Sequence, residues 1–192
     1  MAIGERRIDT EDRQLVEAAQ SGDGNAFKAL YERYRDRVYN LSFYSLGETL
    51  WAEDVLQIVF LKVFRGLSEF RFESEFATWI YRITLNECRN QLRRKPAPYV
   101  PLEAILGGIE ESDSRDLPDA EQLERERRQI IQRALMDMST KLRTVVVLKY
   151  VEGLSYDEIA RVLECAPGTV ASRLNRALSG LEARLRPLRR LL

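Results

Sequence analysis

Two stretches of this chain gather the residue types that read nucleic acid. From Thr169 to Ser179, a helical register of about 100° per residue puts Ser172, Asn175, Arg176 and Ser179 on one side, with Arg173 on its flank. Arg and Asn can make paired hydrogen bonds to base edges in the major groove. From Phe76 to Arg94, the residues Thr78, Arg82, Asn86, Arg89 and Arg93 fall within roughly 80° of one another on a helix. One hydroxyl, one amide and three guanidiniums in a row suit a phosphate backbone. Just ahead, Phe70-Arg71-Phe72 sets aromatics beside a cation, a combination that stacks unpaired bases. An arginine-bearing helix face is, by itself, more often plain solvated surface. Phe76 and Trp79 read as core, while Phe70 and Tyr81 are balanced between core and base contact.

Other chemistry finds little support. The chain has no His and two Cys, Cys88 and Cys165, far apart in sequence. That pattern argues against zinc fingers, disulfide frameworks and His-based triads. No Gly-rich phosphate loop is present. Asp12, Asp23, Glu53 and Asp54 make no ligand pattern, so a metal nuclease is a poor reading. The expectation is a non-enzymatic protein without cofactor or metal, its two thiols small core residues. Arg6, Arg7 and Asp9 run into polar sequence, unlike a signal peptide. Val55 to Phe64 is broken by Gln57 and Lys62, so no membrane insertion is expected. A reducing, cytoplasmic setting fits best.

The elements that would hold these residues are helices in two blocks. In residues 1–94, Thr10 is the expected cap of a short helix ending near Ser21-Gly22-Asp23-Gly24. Phe27, Leu30, Tyr31, Tyr34, Val38 and Leu41 follow at helical spacing, with Gly47 as the stop. Ala52 to Leu67 reads as a largely buried helix stopped around Gly66, and Phe76 to Arg94 as the last helix of the block. Residues 95–118 hold four Pro, a Gly107-Gly108 pair and a net charge of −3, the composition of a flexible linker. The block 119–192 is helical again, although Thr144-Val145-Val146-Val147-Leu148 has strand propensity. Ser155-Tyr156-Asp157-Glu158 is a capping box opening a short helix. Cys165-Ala166-Pro167-Gly168 breaks that helix, and Pro167 suits the first turn of the next. Val170, Leu174, Ala177, Leu178, Leu181 and Leu185 make the apolar face of this second helix. Thirty basic and thirty acidic residues cancel overall, yet six Arg face one Glu from Cys165 onward. Short helix, tight turn and longer basic helix have the form of a helix-turn-helix reader. The fold expected is all-α, two small helical domains and a linker, the C-terminal domain a helix-turn-helix.

With these residues in hand, the chain resembles the extracytoplasmic-function (group IV) branch of the sigma-70 family of RNA polymerase sigma factors. Ala52-Glu-Asp-Val-Leu-Gln-Ile-Val-Phe-Leu-Lys-Val-Phe-Arg65 is similar to the helix that docks on the clamp of the polymerase largest subunit. Phe76-Ala-Thr-Trp-Ile-Tyr-Arg-Ile-Thr-Leu-Asn86 resembles the reader of the minus-ten element. Leu148 to Ala160 with Gly168 to Ala177 resembles the reader of the minus-thirty-five element. The resemblance implies that Asp54 and Gln57 contact the clamp, with Lys62 and Arg65 closer to DNA. It implies that Phe70 helps line a pocket for an extruded base, with Tyr81, Arg82, Asn86 and Arg89 beside the non-template strand. Ser172, Arg173, Asn175 and Arg176 would meet the major groove. Residues 1–94 would be sigma region 2, 95–118 a linker threading toward the RNA exit path, and 119–192 sigma region 4. The implied partners are core polymerase, at its clamp helices and flap region, promoter DNA and an antisigma factor.

Three positions depart from the family pattern. Ile58 stands where an acid is common, Ala171 where Arg or Lys is common, and Met138-Ser139 where Leu-Pro is usual. The competing reading is a free-standing helix-turn-helix regulator whose N-terminal half senses or dimerises. It needs one DNA-reading surface, and this sequence offers two.

Overall fold

The computed structural model describes residues 2–94, 127 and 130–186, with side chains from Thr10 onward. Among these, all regular structure is helical. The N-terminal half comprises α1 (Ala2–Gln20), α2 (Gly24–Leu46), α3 (Thr49–Gly66), a 3-10 turn (Leu67–Glu69) and α4 (Phe76–Arg94). The C-terminal half comprises α5 (130–136), α6 (Thr140–Tyr150), α7 (Tyr156–Leu163) and α8 (Pro167–Leu185). The expected linker at 95–118 lies outside the described residues.

Thr10 does not start a helix. No Pro lies between Ala2 and Gln20, and α1 runs back through Gly4 to Ala2. Asp23 caps α2 instead, its carboxylate accepting from the Asn25 and Ala26 amides. Gly47 ends α2 at φ +85°, where only a residue without Cβ sits without strain. The Thr144–Leu148 run is helical, within α6, because it is buried and tertiary packing overrides β propensity there.

The core of the N-terminal half is built from Val16, Leu30, Tyr34, Val38, Val55, Val59, Val63, Phe76 and Ile80. Val55, Val59 and Val63 are therefore core, on the inner face of α3. That helix is less buried than the sequence suggested: Leu50, Leu61 and Phe64 are exposed on its other side. Tyr34 is fully buried, so its hydroxyl needs a partner. It donates to the Asp12 carboxylate, which also receives Arg33 Nη1 at 2.6 Å. Asp12 is thus a structural acid.

A second cluster joins the two halves. Leu41, Tyr81 and Leu85, from α2 and α4, pack with Leu135, Val145, Val147, Leu148, Ile159, Val170 and Leu174. Polar contacts frame it. Arg143 on α6 is buried and donates to the Ser45 carbonyl at the end of α2, at 2.6 Å, and to the Met138 carbonyl at 3.1 Å. Gln132 Nε2 reaches the Phe43 carbonyl at 3.2 Å. A Cβ on Gly47 would stand 2.8 Å from Met136 Sδ, so this glycine serves both its helix and the junction.

The capping box on α7 is complete. The Ser155 hydroxyl accepts from the Glu158 amide at 3.3 Å, and the Glu158 carboxylate accepts from the Ser155 amide at 2.7 Å. Ser155→Ala removes the hydroxyl and should lower the stability of the C-terminal half by about 1 kcal/mol. Ser155→Asp, another good cap, should restore most of it. Urea unfolding followed by circular dichroism measures both.

Candidate nucleic-acid interface

The candidate recognition helix, α8, is positioned by the turn before it. The α7 helix ends at Leu163, and Glu164 adopts a left-handed conformation (φ 51°), with its amide bonded to the Ala160 and Arg161 carbonyls. The sequence had placed the break one residue later, at Cys165. Pro167 then opens α8, which buries Val170, Leu174 and Ala177. Leu178, expected on that apolar face, is 40% exposed, because at about 100° per residue it lies at the edge of the row Val170, Leu174, Ala177 and Leu181 that does the packing. On the outer side Ser172, Asn175 and Arg176 are exposed and Arg173 is half-buried. The Ser172 hydroxyl donates to the Thr169 carbonyl at 3.0 Å and Arg176 Nε to the Ser172 carbonyl at 3.3 Å. Arg173 Nη1 lies 4.0 Å from Cys165 Sγ. The four expected base-reading residues are therefore brought to one face of one helix. Ala171, the departure beside them, is half-buried.

In the N-terminal half, the loop before α4 makes an aromatic cradle. Phe70 meets Phe72 edge-on at 5.1 Å and Trp79 at 4.9 Å. Gln20 holds the loop, donating to the Leu67 and Phe70 carbonyls at 2.9 and 2.8 Å. Phe72 sits at φ 57°, and Arg13 lies 4.7 Å over its ring. A cavity of about 550 Å³ opens between this loop and α4, bordered by Phe70, Arg71, Thr78, Trp79 and Arg82. Phe70 resolves the balance left by the sequence in both directions at once: it is only 9% exposed, yet one edge borders the cavity.

The basic ridge of α4 divides in two. Asn86, Arg89 and Arg93 are exposed, with Arg89 Nη1 donating to Asn86 Oδ1 at 2.7 Å. Thr78 is buried. Tyr81 and Arg82 face the C-terminal half. The Tyr81 hydroxyl donates to Glu152 Oε2 at 2.8 Å. Arg82 Nη2 donates to the Arg161 carbonyl at 2.7 Å, and Nη1 stands 3.3 Å from Glu164 Oε1. Arg161 reciprocates, Nη2 lying 3.4 Å from Glu75 Oε1. Burial raises the Tyr81 phenol, and the Glu152 carboxylate raises it further. Lys62 is tied down as well, its ammonium 2.5 Å from Glu87 Oε1 on α4, while Arg65 is exposed.

On α3, Asp54 and Gln57 are exposed and belong to a stripe the sequence reading missed. Leu50, Asp54, Gln57, Leu61 and Phe64 recur at spacings of four, three, four and three, one narrow face of a helix. Leu50, Leu61 and Phe64 are 73%, 55% and 65% exposed. Apolar side chains in an exposed row mark an interaction surface. The signal was legible as a second apolar period out of phase with Val55, Val59 and Val63. Ile58, the departure on this helix, is half-buried. Cys88 is buried, and that burial pushes its thiol up to about 11, as befits a packing residue.

Comparison with known proteins adds an independent line. The Sigma-70 region 2 family matches residues 30–96, and the Sigma-70, region 4 family matches residues 128–181. The chain is 36% identical to the RNA polymerase sigma-H factor of Pseudomonas aeruginosa, over 94% of this chain and 96% of that protein. It is 38% identical to the ECF RNA polymerase sigma-E factor of Escherichia coli K12, over 92% and 95%. Among solved structures it is similar to CnrH in complex with the cytosolic domain of CnrY. The TM-score is 0.69 at 28% identity, over 92% of this chain and 98% of that one.

The Tyr81–Glu152 contact sets a pH dependence. Burial raises the Glu152 carboxyl to about 7, against the pull of the Tyr81 hydroxyl and the Arg37 guanidinium, which favour its charged form. A carboxyl raised by docking binds its proton more tightly when docked. Its contribution to docking is therefore full below the ordinary carboxylate range and is lost as pH rises through about 7. Contact between the halves should be tighter at pH 6 than at pH 8. Glu152→Gln, which keeps an acceptor for Tyr81 and cannot titrate, should flatten the difference. Amide hydrogen exchange of α4, corrected for the intrinsic pH dependence of exchange, reads the docking directly.

Proposed function

The chain belongs to the extracytoplasmic-function branch of the sigma-70 family, and from that premise we propose how its residues divide the work of initiating transcription. As an RNA polymerase sigma factor it binds core polymerase, recognises promoter DNA and stabilises the open complex.

Residues 1–94 form the module that docks on polymerase and takes the minus-ten element; residues 119–192 form the module for the minus-thirty-five element. The α3 stripe meets the clamp, with Asp54 and Gln57 as polar contacts and Leu61 and Phe64 as apolar anchors. Large apolar groups ringed by polar ones carry most of the affinity of such contacts. Arg65 and Lys62 lie toward the DNA. The cradle around Phe70 receives an unpaired base, stacked as aromatics stack single strands generally. Tyr81, Arg82, Asn86 and Arg89 follow the non-template strand. Ser172, Arg173, Asn175 and Arg176 enter the major groove of the upstream duplex, Arg and Asn reading base edges and the others holding register.

This division works by binding alone. Melted DNA is trapped because its bases find a cradle that duplex DNA cannot fill, so no covalent step is required of the chain. The remaining surfaces suit an antisigma factor, a reading supported by the likeness to CnrH, whose structure holds the cytosolic domain of CnrY. The setting is the cytoplasm, where polymerase and promoter lie. The flap region of polymerase is the partner assigned to the C-terminal module.

The observation that supports the division is that exposed Arg and Asn side chains gather on two separate helices, the outer face of α8 and the ridge of α4 beside the aromatic cradle. A free-standing regulator has use for one. Run-off transcription from a panel of promoters, with purified core polymerase, tests it. Transcripts should require the chain. Arg176→Ala and Asn86→Ala should each lower them roughly 5- to 100-fold, the range of a lost base contact worth ~1–3 kcal/mol. Absence of any transcript together with absence of core binding contradicts the reading, and specific duplex binding alone would make the chain an ordinary regulator.

A further inference from the structure

Phe72 holds an uncommon backbone for its type. It is one of two non-glycine residues at positive φ among the described residues, a region where a bulky side chain is seldom found. Such a conformation persists only where the surroundings over-determine it. Here one helix, α1, supplies them. Gln20 Nε2 has two hydrogens, and both go to the loop, one to the Leu67 carbonyl at 2.9 Å and one to the Phe70 carbonyl at 2.8 Å. Arg13 lies 4.7 Å over the Phe72 ring, a cation on an aromatic face. Its Nε is held in turn 3.0 Å from Glu17 Oε1. Arg13, Glu17 and Gln20 recur at spacings of four and three, a single face of the helix.

This helix is itself fixed to the body of the N-terminal half. Val16 is fully buried in its core, and Asp12 receives Arg33 and the Tyr34 hydroxyl from α2. From α1 the contacts run inward through rings. Phe72 meets Phe70 at 5.1 Å, and Phe70 meets Trp79 at 4.9 Å. Phe70 and Trp79 border the cavity of about 550 Å³, whereas Arg13 and Gln20 do not. We propose that Arg13 and Gln20 are positioning residues for promoter opening. They hold the Phe70–Phe72 loop in the shape that receives an unpaired base, and they do so without touching the strand. This deepens the reading of the cradle as the receiver of that base, and rests on it.

The brace has a definite consequence for affinity. A cradle shaped in advance takes its base without an ordering cost, and a loop that must order first loses that cost from its affinity. Without the brace, Phe72 is free to return to negative φ, and the Phe70 edge moves with it. The fraction of molecules with a competent loop falls, and apparent affinity falls by the same factor. The loss is confined to the one base that enters the cradle, because Asn86 and Arg89 stand on α4 outside the loop. A direct phosphate contact by Arg13, whose side chain is 61% exposed, would act otherwise. It would weaken every strand alike and lower the salt slope by about 0.7 when removed.

The test uses holoenzyme assembled from core polymerase and the full chain. It is titrated with fluorescein-labelled single strands carrying the non-template minus-ten sequence of a promoter that fires, intact or with one base at a time removed. For wild type, one abasic position should cost about tenfold or more, within the range of a base stacked on aromatics. That position marks the base in the cradle. Gln20→Leu and Arg13→Ala should each bind the intact strand about fivefold or more weakly than wild type, the loss of competent loop. Both should bind the strand abasic at that position as wild type does, and the salt slope of Arg13→Ala should equal that of wild type. Equal weakening on the two strands, or no weakening on either, would overturn the proposal, as would a slope lowered by one phosphate contact. Arg13→Ala alters an exposed side chain, so the test stands even where Gln20→Leu fails to fold. If no abasic position weakens wild type, the cradle assignment fails instead.

Discussion

A guanidinium taken out of water with no carboxylate beside it must find oxygens elsewhere, and the arrangement of this chain follows from where Arg143 finds them. It is 8% exposed, and its donors go to the carbonyls of Ser45, Met136 and Met138. Desolvation lowers its pKa, with no compensating acid. Those carbonyls lie at or just beyond the ends of α2 and α5, where helices present unsatisfied oxygens and partial negative charge. One arginine thus ties three helices at a point, two from the C-terminal half and one from the N-terminal half.

When the halves part, the Ser45 carbonyl and the freed donors of Arg143 exchange each other for water, and the net value of such an exchange is small. The same holds for Arg82 with Glu164, a polar pair at the edge of the seam. Leu41, Tyr81 and Leu85 supply the apolar part, buried in one cluster with the core residues of the C-terminal half.

The elements were largely legible in the sequence because their signals are local. The Ser155–Glu158 box, Pro167 at the head of α8, Gly47 at the end of α2 and the period of α4 each depend on a few neighbouring residues. The face of α8 was legible for the same reason, since a helical register fixes which side chains point together. Thr10 misled because a good capping residue stops a helix only where the preceding chain cannot continue it. What could not be read was everything contributed by a second element. Arg143 and Glu152 carry no local signal of a role, and Tyr81 reads as divided between core and base contact. Their roles come from residues far away in the chain, 71 positions for Tyr81 with Glu152 and 98 for Arg143 with Ser45, beyond the range of any periodicity. The α3 stripe lies between these extremes: its spacing was present, but two apolar periods on one helix read as uniform burial.

The most direct test of this account is the distance between the halves, free and on polymerase. Spin labels at Ser68→Cys and Ser179→Cys, both exposed positions outside the junction, in a Cys165→Ser chain would report it by pulsed electron resonance. The account predicts one short, narrow distance distribution for the free chain, replaced by a much longer one when core polymerase is added. An unchanged distribution on polymerase, or a free chain already as extended as the bound one, would contradict it.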